Sequence, residues 1–410
     1  MGRRVVITGI GVISSIGTGK QAFMTGLREG KDGKKDIPYF NTDSYALKKA
    51  AIVEGFDKKE YVMSNGGTET EAANVYGLYA SKQAMEDAGI EKDTYPSERK
   101  GVSVATSLGS IGGKSNIHKQ ILQGKSFDEV DFSAAFESCS TPSGVISKEF
   151  NCLGPNISVS TACAAGTNSI GCGFDMIKND VCDMVIAGGT DPFEEMSFSG
   201  FISLKTVTQN ELTPFDKNRS GIDIGEGAAI LILEDLDSAL KRGADIYAEI
   251  LGYGVSNDAY HATSPDPQGR GAKLAMKMAM DEAGVKKEDV NYINAHGTGT
   301  KINDKMELKA IRELFEEYAS DIKISSTKSM HGHMLGATGS IEAIICALGI
   351  KEGFIPGTTK TKELMEESEG MNIVLDGVKE GKIDIALSNS FGFAGNSASI
   401  VIGRYEPNGK

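Results

Sequence analysis

The sequence predicts an α/β fold made of two pseudo-repeated βα halves, residues 1–245 and 246–410. Three observations carry that expectation. The chain of 410 residues is longer than one hydrophobic core usually supports, so two large units are expected. Short β-branched runs alternate with helix-like stretches, a pattern that gives parallel or mixed sheets covered by helices. Most directly, the chain echoes itself several times in one order, which chance resemblance of single segments does not produce.

"RRVVITGIGVIS" (3–14) opens the first half as a strand: Val5, Val6 and Ile7 are β-branched, and glycines at 9 and 11 punctuate the run. Its counterpart is "YAEILGYGVS" (247–256). "AMEDAGIEKD" (84–93) reads as a helix end with a glycine stop and a charged turn, and returns as "AMDEAGVKKED" (279–289). Each copy leads into a β-rich run, "GVSVATSLGS" (101–110) and "VNYINAHGTGT" (290–300). "ISVSTACAAGTNSIG" (157–171) reads as strand, tight small-residue turn, then helix, and is echoed by "IKISSTKSMHGHMLGATGSIEA" (322–343). "GEGAAILILED" (225–235) and "GNSASIVIGRYE" (395–406) close the halves. The extra length of the first half lies around 20–75 and 107–155, where patterns are weak; loops carrying binding surface or dimer contacts are expected there.

With 40% apolar and 24% charged residues, the composition is that of a soluble globular protein. No apolar run approaches the length of a membrane span. The opening, with two arginines before an apolar stretch, superficially resembles a signal peptide, but no convincing small-residue cleavage site follows, and a buried first strand is the better reading. A net charge of −13 argues against nucleic acid as a partner. Six cysteines are scattered without CxxC pairs or Cys/His clusters at zinc spacing, which points to reduced thiols in a cytoplasm and to no metal site.

Cys163 falls on the turn between the strand Ile157 to Thr161 and the helical stretch Ala164 to Ile177. A thiol there faces free backbone N–H groups and the positive end of a helix dipole, which favours thiolate, while Ala162, Ala164, Ala165 and Gly166 leave room for a thioester. Free cysteine is also among the most buried residue types, and Cys139, Cys152, Cys172, Cys182 and Cys346 read as that. Of five histidines, His296 and His333 stand in glycine-rich turns after expected strands, His333 in the second copy of the Cys163 turn. If a pseudo-twofold relates the halves, Cys163 and the 328–333 turn face one site. His118 and His331 read as surface or structural, and His261 as a residue at an entrance. Lys328, after the strand "ISST", is either a surface lysine or a buried one that needs a carboxylate, with Glu342 on the next helix the nearest candidate.

At these motifs, together with "AGGTD", "PFDKNRSGIDIGEGAA", "DAYHATSPDPQGRG" and "SNSFGFAGNSASI", the chain resembles β-ketoacyl-acyl-carrier-protein synthases of the thiolase fold. The likeness is greatest to the elongating type II enzymes and extends to the ketosynthase subunit of type II polyketide synthases. It covers nearly the whole chain and implies a layered α-β-α-β-α core. It makes Cys163 the acylated nucleophile, His296 and His333 the decarboxylation and condensation histidines, and Lys328 and Glu342 their supporting ion pair. Phe391 matches a gating phenylalanine, and the N–H of Phe393 joins that of Cys163 as an oxyanion hole. Thr298, Thr300 and Thr263 match pantetheine contacts. The resemblance further implies an acyl carrier protein as partner, and a homodimer or a heterodimer with a chain-length-factor-like subunit. It implies no metal or organic cofactor, since 4'-phosphopantetheine arrives on the carrier. The spacing separates relatives: degradative thiolases use a second cysteine in the C-terminal loop, chain-starting synthases carry Asn where His333 stands, and chain-length factors lack the cysteine.

The implied reaction is decarboxylative Claisen condensation of an acyl-Cys163 thioester with malonyl-carrier protein, in polyketide, polyene or fatty-acid elongation. A non-catalytic dimerising scaffold is the alternative from another class. Three departures stand out. Ala394 replaces a glycine of the usual gating loop and Asn396 comes one place early, which predicts a stiffer loop; Ile222 and Asp223 replace an aromatic and apolar pair. The 64–74 segment, with Glu69 and Glu71, is acidic where fatty-acid enzymes dock an acidic carrier on basic residues. Docking then falls to Lys205, Arg219 and neighbouring lysines such as Lys114, or the carrier approaches differently.

Overall fold

The computed structural model describes residues 2–64, 71–109, 111–375 and 377–407. The first half contributes β1 (Val5–Ser14), β2 (Lys100–Ala105), β3 (Asn156–Val159), β4 (Met184–Asp191) and β5 (Gly227–Asp235). The second contributes β6 (Ala248–Asn257), β7 (Tyr292–Asn294), β8 (Lys323–Ser325), β9 (Ile385–Phe391) and β10 (Asn396–Gly403). Side by side they run β3-β2-β4-β5-β1, then β6-β10-β9-β7-β8, so the second half repeats the order of the first in mirror sequence about the β1/β6 seam. The senses repeat too. β2 pairs parallel with β3 and β4, β7 pairs parallel with β8 and β9, and the remaining neighbours in each half are antiparallel. The seam is short, Val5–Ile7 against Ala248–Ile250.

Helices α1 (Ala72–Ala88), α2 (Ala165–Lys178), α3 (Arg270–Ala283), α4 (Lys301–Phe315) and α5 (Thr338–Glu352) complete the layers. α2 and α5 touch each other and strands of both halves; α1 covers β1, β4 and β5, and α3 covers β6, β9 and β10. The result is the α-β-α-β-α core. Sequence dictates the positions: every α5 residue from Thr338 to Ile350 is buried, as a helix between two sheets requires, whereas α3 buries Ala272, Ala275, Met276 and Ala279 and leaves Leu274 and Met278 exposed. β1 and β5 are buried along their whole length, so the arginine-led opening is a core strand.

Small residues let α2 and α5 start against one another, backbone to backbone. A Cβ on Gly166 would lie 2.7 Å from the Gly336 carbonyl oxygen, and one on Gly339 would lie 2.7 Å from the Thr167 nitrogen. The regions 20–75 and 107–155, expected as loops, contain the helices Lys20–Glu29, Ile111–Leu122 and Thr141–Glu149 and a small hairpin, Lys34–Asp36 with Lys49–Ala51. The helix Ile111–Leu122 buries Ile117 alone, so its sequence carries almost no apolar period to read.

Candidate active site

The two halves meet at two copies of one turn. After β3 the chain bends through Ala162–Ala164 and enters α2 at Ala165; after β8 it bends through Leu335–Ala337 and enters α5 at Thr338. Ala162 and Leu335, the first residue of each bend, have φ of 50° and 48°. A left-handed alanine or leucine costs about 1–2 kcal/mol, so both bends are held by their surroundings. Cys163 and Gly336 occupy equivalent places, second in each bend.

Cys163 is 7% exposed and lines a cavity of about 510 Å³ with His296, His333, Phe391 and Phe393. The turn was expected to favour thiolate. Instead burial pushes the thiol up from 9.0 to about 12, with Lys328 pulling the other way. That rise corresponds to about 4 kcal/mol, and one helix end supplies at most about 2 kcal/mol in return, so the resting group is a neutral thiol. Gly392 crosses directly above: a Cβ there would lie 3.0 Å from the Cys163 nitrogen. Among the described residues, the N–H groups of Cys163 and Phe393 donate to no protein acceptor.

The rings of His296 and His333 stand edge to face with centroids 5.4 Å apart. Desolvation and the Lys328 charge hold both well below the ordinary histidine value, with His333 adding to the effect on His296 and His331 to that on His333, so both imidazoles are neutral. His333 Nδ1 pairs with the Thr338 hydroxyl at 2.9 Å. The backbone N–H groups of His296 and Gly297 both donate to Glu307 at 2.8 Å, fixing the first turn. Burial pushes Glu307 up to about 7. Beneath the rings, Lys328 and Glu342 form a fully buried ion pair, and Lys328 also donates to the His296 carbonyl. Burial pushes Glu342 up to about 7. His331 is buried behind this pair with Nε2 on Thr327, His118 is exposed, and the ring of exposed His261 accepts from the N–H groups of Thr263 and Ser264 at the cavity mouth.

Thr298, Thr300 and Thr263 line the same cavity; the first two hydroxyls pair at 2.9 Å, and Thr300 caps α4. Exposed Lys205 and Lys301 stand at its mouth. Arg219 does not reach the surface, which corrects the docking expectation for it. Its guanidinium is buried and donates to the carbonyls of Asp216, Thr300 and Lys301, so it braces the threonine turn. Phe391 ends β9 as a buried ring, 5.8 Å from His296. Phe393 is half-buried, 5.6 Å from Phe201, and both rings also border a second cavity of about 370 Å³ that reaches Cys163 from the side of Leu108 and Leu335. Glu69 lies outside the described residues. Glu71 directly precedes α1.

Glu307, Thr338 and Asp191 were missed by sequence reading. Asp191, buried at the end of β4, accepts from the Thr106 hydroxyl and from the N–H groups of Ser107, Leu108 and Gly336. Only Thr338, a hydroxyl residue at the start of an apolar helix, was a signal available in advance.

Two family profiles match the chain: "Beta-ketoacyl synthase, N-terminal domain" over residues 2–239 and "Beta-ketoacyl synthase, C-terminal domain" over 247–362. A 3-oxoacyl-[acyl-carrier-protein] synthase 2 of Staphylococcus aureus (strain COL) is 37% identical over 98% of this chain and 99% of its own. The enzyme of that name from Coxiella burnetii is also 37% identical, with the same coverage. Among solved structures, a chain of the ishigamide ketosynthase/chain length factor superposes with a TM-score of 0.94 at 36% identity, covering 99% of this chain and 100% of that one. The ketosynthase assembly of a type II PKS, in complex with its acyl-carrier protein and bound to a hexaketide, gives 0.92 at 28% identity, with 99% and 100% covered.

Proposed function

The chain belongs to the β-ketoacyl synthase family, and from that premise we propose the roles of its residues in a decarboxylative Claisen condensation. It is an acyltransferase of the condensing type, in fatty-acid or polyketide chain elongation. Cys163 sulfur attacks the acyl thioester on a carrier protein; the carbon–sulfur bond to the carrier breaks, and the thiol proton leaves with the carrier's sulfur. Malonyl-carrier then enters. Its carbon–carboxylate bond breaks, CO₂ departs, and the electron pair forms an enolate whose oxygen accepts N–H bonds from His296 and His333. The carbanion attacks the acyl carbonyl on Cys163, the oxyanion is held by the N–H groups of Cys163 and Phe393, and collapse releases β-ketoacyl-carrier and a Cys163 sulfur that regains its proton. The observation that carries this is the cavity where one buried thiol meets two neutral imidazoles. Neutral rings donate to the enolate without protonating it first.

Thr298, Thr300 and Thr263 guide the pantetheine arm, and Lys205 with Lys301 meets the acidic carrier. The gate is assigned to Phe393 rather than Phe391, supported by its place between the two cavities. No metal or organic cofactor takes part, since thiol, imidazoles and backbone donors account for each step. A synthase-like second subunit, either another copy or a chain-length-factor-like chain, covers the edge strand β3 and the segment 111–159. In that stretch Leu122, Phe127, Phe136 and Leu153 are 70% exposed or more, more apolar surface than a lone protein usually shows water. Polyketide or polyene elongation is the favoured pathway, supported by the departures at 64–74 and 222–223; the 37% identical relatives favour fatty-acid elongation as the second reading. All six cysteines are free, which supports a cytoplasmic location.

Cys163 is expected to carry an acyl adduct of matching mass after incubation with acyl-carrier protein. Cys163→Ala abolishes that adduct, whereas His333→Ala keeps it and loses decarboxylation. Condensation with an unmodified Cys163, or equal loss of transfer in both variants, would overturn the assignment.

A further inference from the structure

The sequence departure at Ile222 and Asp223 has a structural counterpart. The strip 222–225 passes beside His333 and holds its main chain on both sides: His333 N–H donates to the Asp223 carbonyl at 2.7 Å, and Gly225 N–H donates to the His333 carbonyl at 2.9 Å. With Nδ1 on Thr338, these bonds fix where the rest of the imidazole points. The strip separates its side chains: Ile222 and Ile224 share one apolar cluster, from which Ile222 also borders the substrate cavity, whereas Asp223 turns away to meet Lys34.

Lys34 sits on the small hairpin of the first-half insertion, 189 residues away in sequence. Its ammonium lies 3.0 Å from the Asp223 carboxylate and donates to the Asn210 carbonyl at 2.7 Å; the two side chains are 15% and 8% exposed. The hairpin grips the strip again through its backbone, Ala51 N–H to the Ile224 carbonyl at 2.9 Å and Glu226 N–H to the Ala51 carbonyl at 3.2 Å. A nearly dry pair of this kind has one geometry of lowest energy, because losing it strands a buried charge. An aspartate at 223 therefore ties His333 to the hairpin in a way that an apolar residue there cannot.

We propose that Lys34 and Asp223 are positioning residues for His333, acting through the backbone of residues 223–225 on the decarboxylation and condensation steps and not on acyl transfer to Cys163. The proposal rests on the condensing-enzyme reading above. It adds a determinant of the reaction that lies outside the cavity.

The test compares Lys34→Met, Asp223→Asn and Lys34→Arg with the parent in two separate assays: acylation of Cys163 read by mass, and malonyl-carrier decarboxylation read by CO₂ release. In Lys34→Met and Asp223→Asn, decarboxylation kcat is expected to fall about tenfold to a hundredfold, the usual cost of loosening the support of a reacting group. KM for malonyl-carrier and the rate of Cys163 acylation stay within about twofold. Lys34→Arg, which keeps the charge, restores most of the loss. Arg242→Met, which breaks the equally buried Arg242–Glu234 pair elsewhere, is the control for general destabilisation and lowers both activities alike. If Asp223→Asn fails to fold, Lys34→Met, at the more solvated end of the pair, carries the test. Equal loss of both half-reactions in Lys34→Met, or parent-level decarboxylation, would overturn the proposal. Absence of Cys163 acylation in the parent would instead overturn the function on which it rests.

Discussion

Lys328→Met removes the ammonium facing Glu342 while keeping an unbranched side chain in a fully buried place. Even with Lys328 beside it, burial pushes Glu342 up to about 7. Without the ammonium it is pushed further, and the carboxyl stays protonated through neutral pH. The sign follows from linkage. A carboxyl whose folded value lies above its unfolded value of about 4.3 contributes stability that is fully present below that unfolded value and is lost as pH rises. In the parent the loss ends once Glu342 ionises near 7; in the variant it continues at about 1.4 kcal/mol per pH unit.

The deficit of the variant relative to the parent therefore widens by about 2.3 kcal/mol between pH 7 and pH 9, since the parent, half ionised at about 7, still loses about 0.4 kcal/mol over that range. A constant offset from the lost bond to the His296 carbonyl does not alter that slope, groups remote from Lys328 cancel in the comparison, and Glu307, which Lys328 also pulls down, changes the deficit in the same direction. Urea denaturation of both proteins at about pH 6.5, 7, 8 and 9, with each midpoint converted through its m value, reads the difference directly. A deficit that is flat across this range would refute the reasoning, because it would mean that Lys328 does not keep the Glu342 carboxylate charged.

Two further outcomes follow from packing and from the thiol. Alkylation of Cys163 by iodoacetamide is expected to accelerate about tenfold per pH unit up to at least about pH 9, since burial pushes the thiol up to about 12; a plateau near neutral pH would show that the turn holds a thiolate after all. Gly339→Ala would bring a Cβ to 2.2 Å from the Thr167 hydroxyl and 2.7 Å from its nitrogen, forcing the starts of α2 and α5 apart. A loss of about 1–3 kcal/mol and slower Cys163 acylation are expected, and a parent-like melting temperature would contradict the close approach.

Cys163, His296 and His333 were legible because each sits in a turn that the sequence marks twice, by the strand before it and by the glycines around it. Lys328 and Glu342 were legible as a conditional pair: a lysine buried after a strand needs a carboxylate, and one stood on the next helix. Contacts that close over long stretches of chain were not legible. Asp191 reaches Gly336 across 145 residues, and Lys34 reaches Asp223 across 189; neither pair shares a pattern that periodicity detects. Arg219 was misread because a single arginine in a polar run resembles surface charge, while its donors fold back onto three carbonyls of neighbouring turns. The proposed place of the gate at Phe393 was not legible, for a local reason. β9 ends at Phe391, and beyond it Ala394 adopts φ 59°, so the alternation of a strand no longer says where Phe393 points.

The duplication also bears on why the first turn suits a developing negative charge. Both copies aim the N–H of their second residue out of a bend that opens a helix. In the second copy that residue is Gly336, and a carboxylate oxygen of Asp191 sits 2.6 Å from its nitrogen, so the chain itself places an anion where the bend presents its donor. In the first copy the residue is Cys163, and no side chain of the described residues occupies the corresponding donor; Gly392 crosses above it and the cavity opens beside it. One copy is filled from within and serves as structure, holding the 106–108 loop against α5. The other is left open beside a thiol, which leaves its donor free for an oxyanion that forms on the Cys163 thioester.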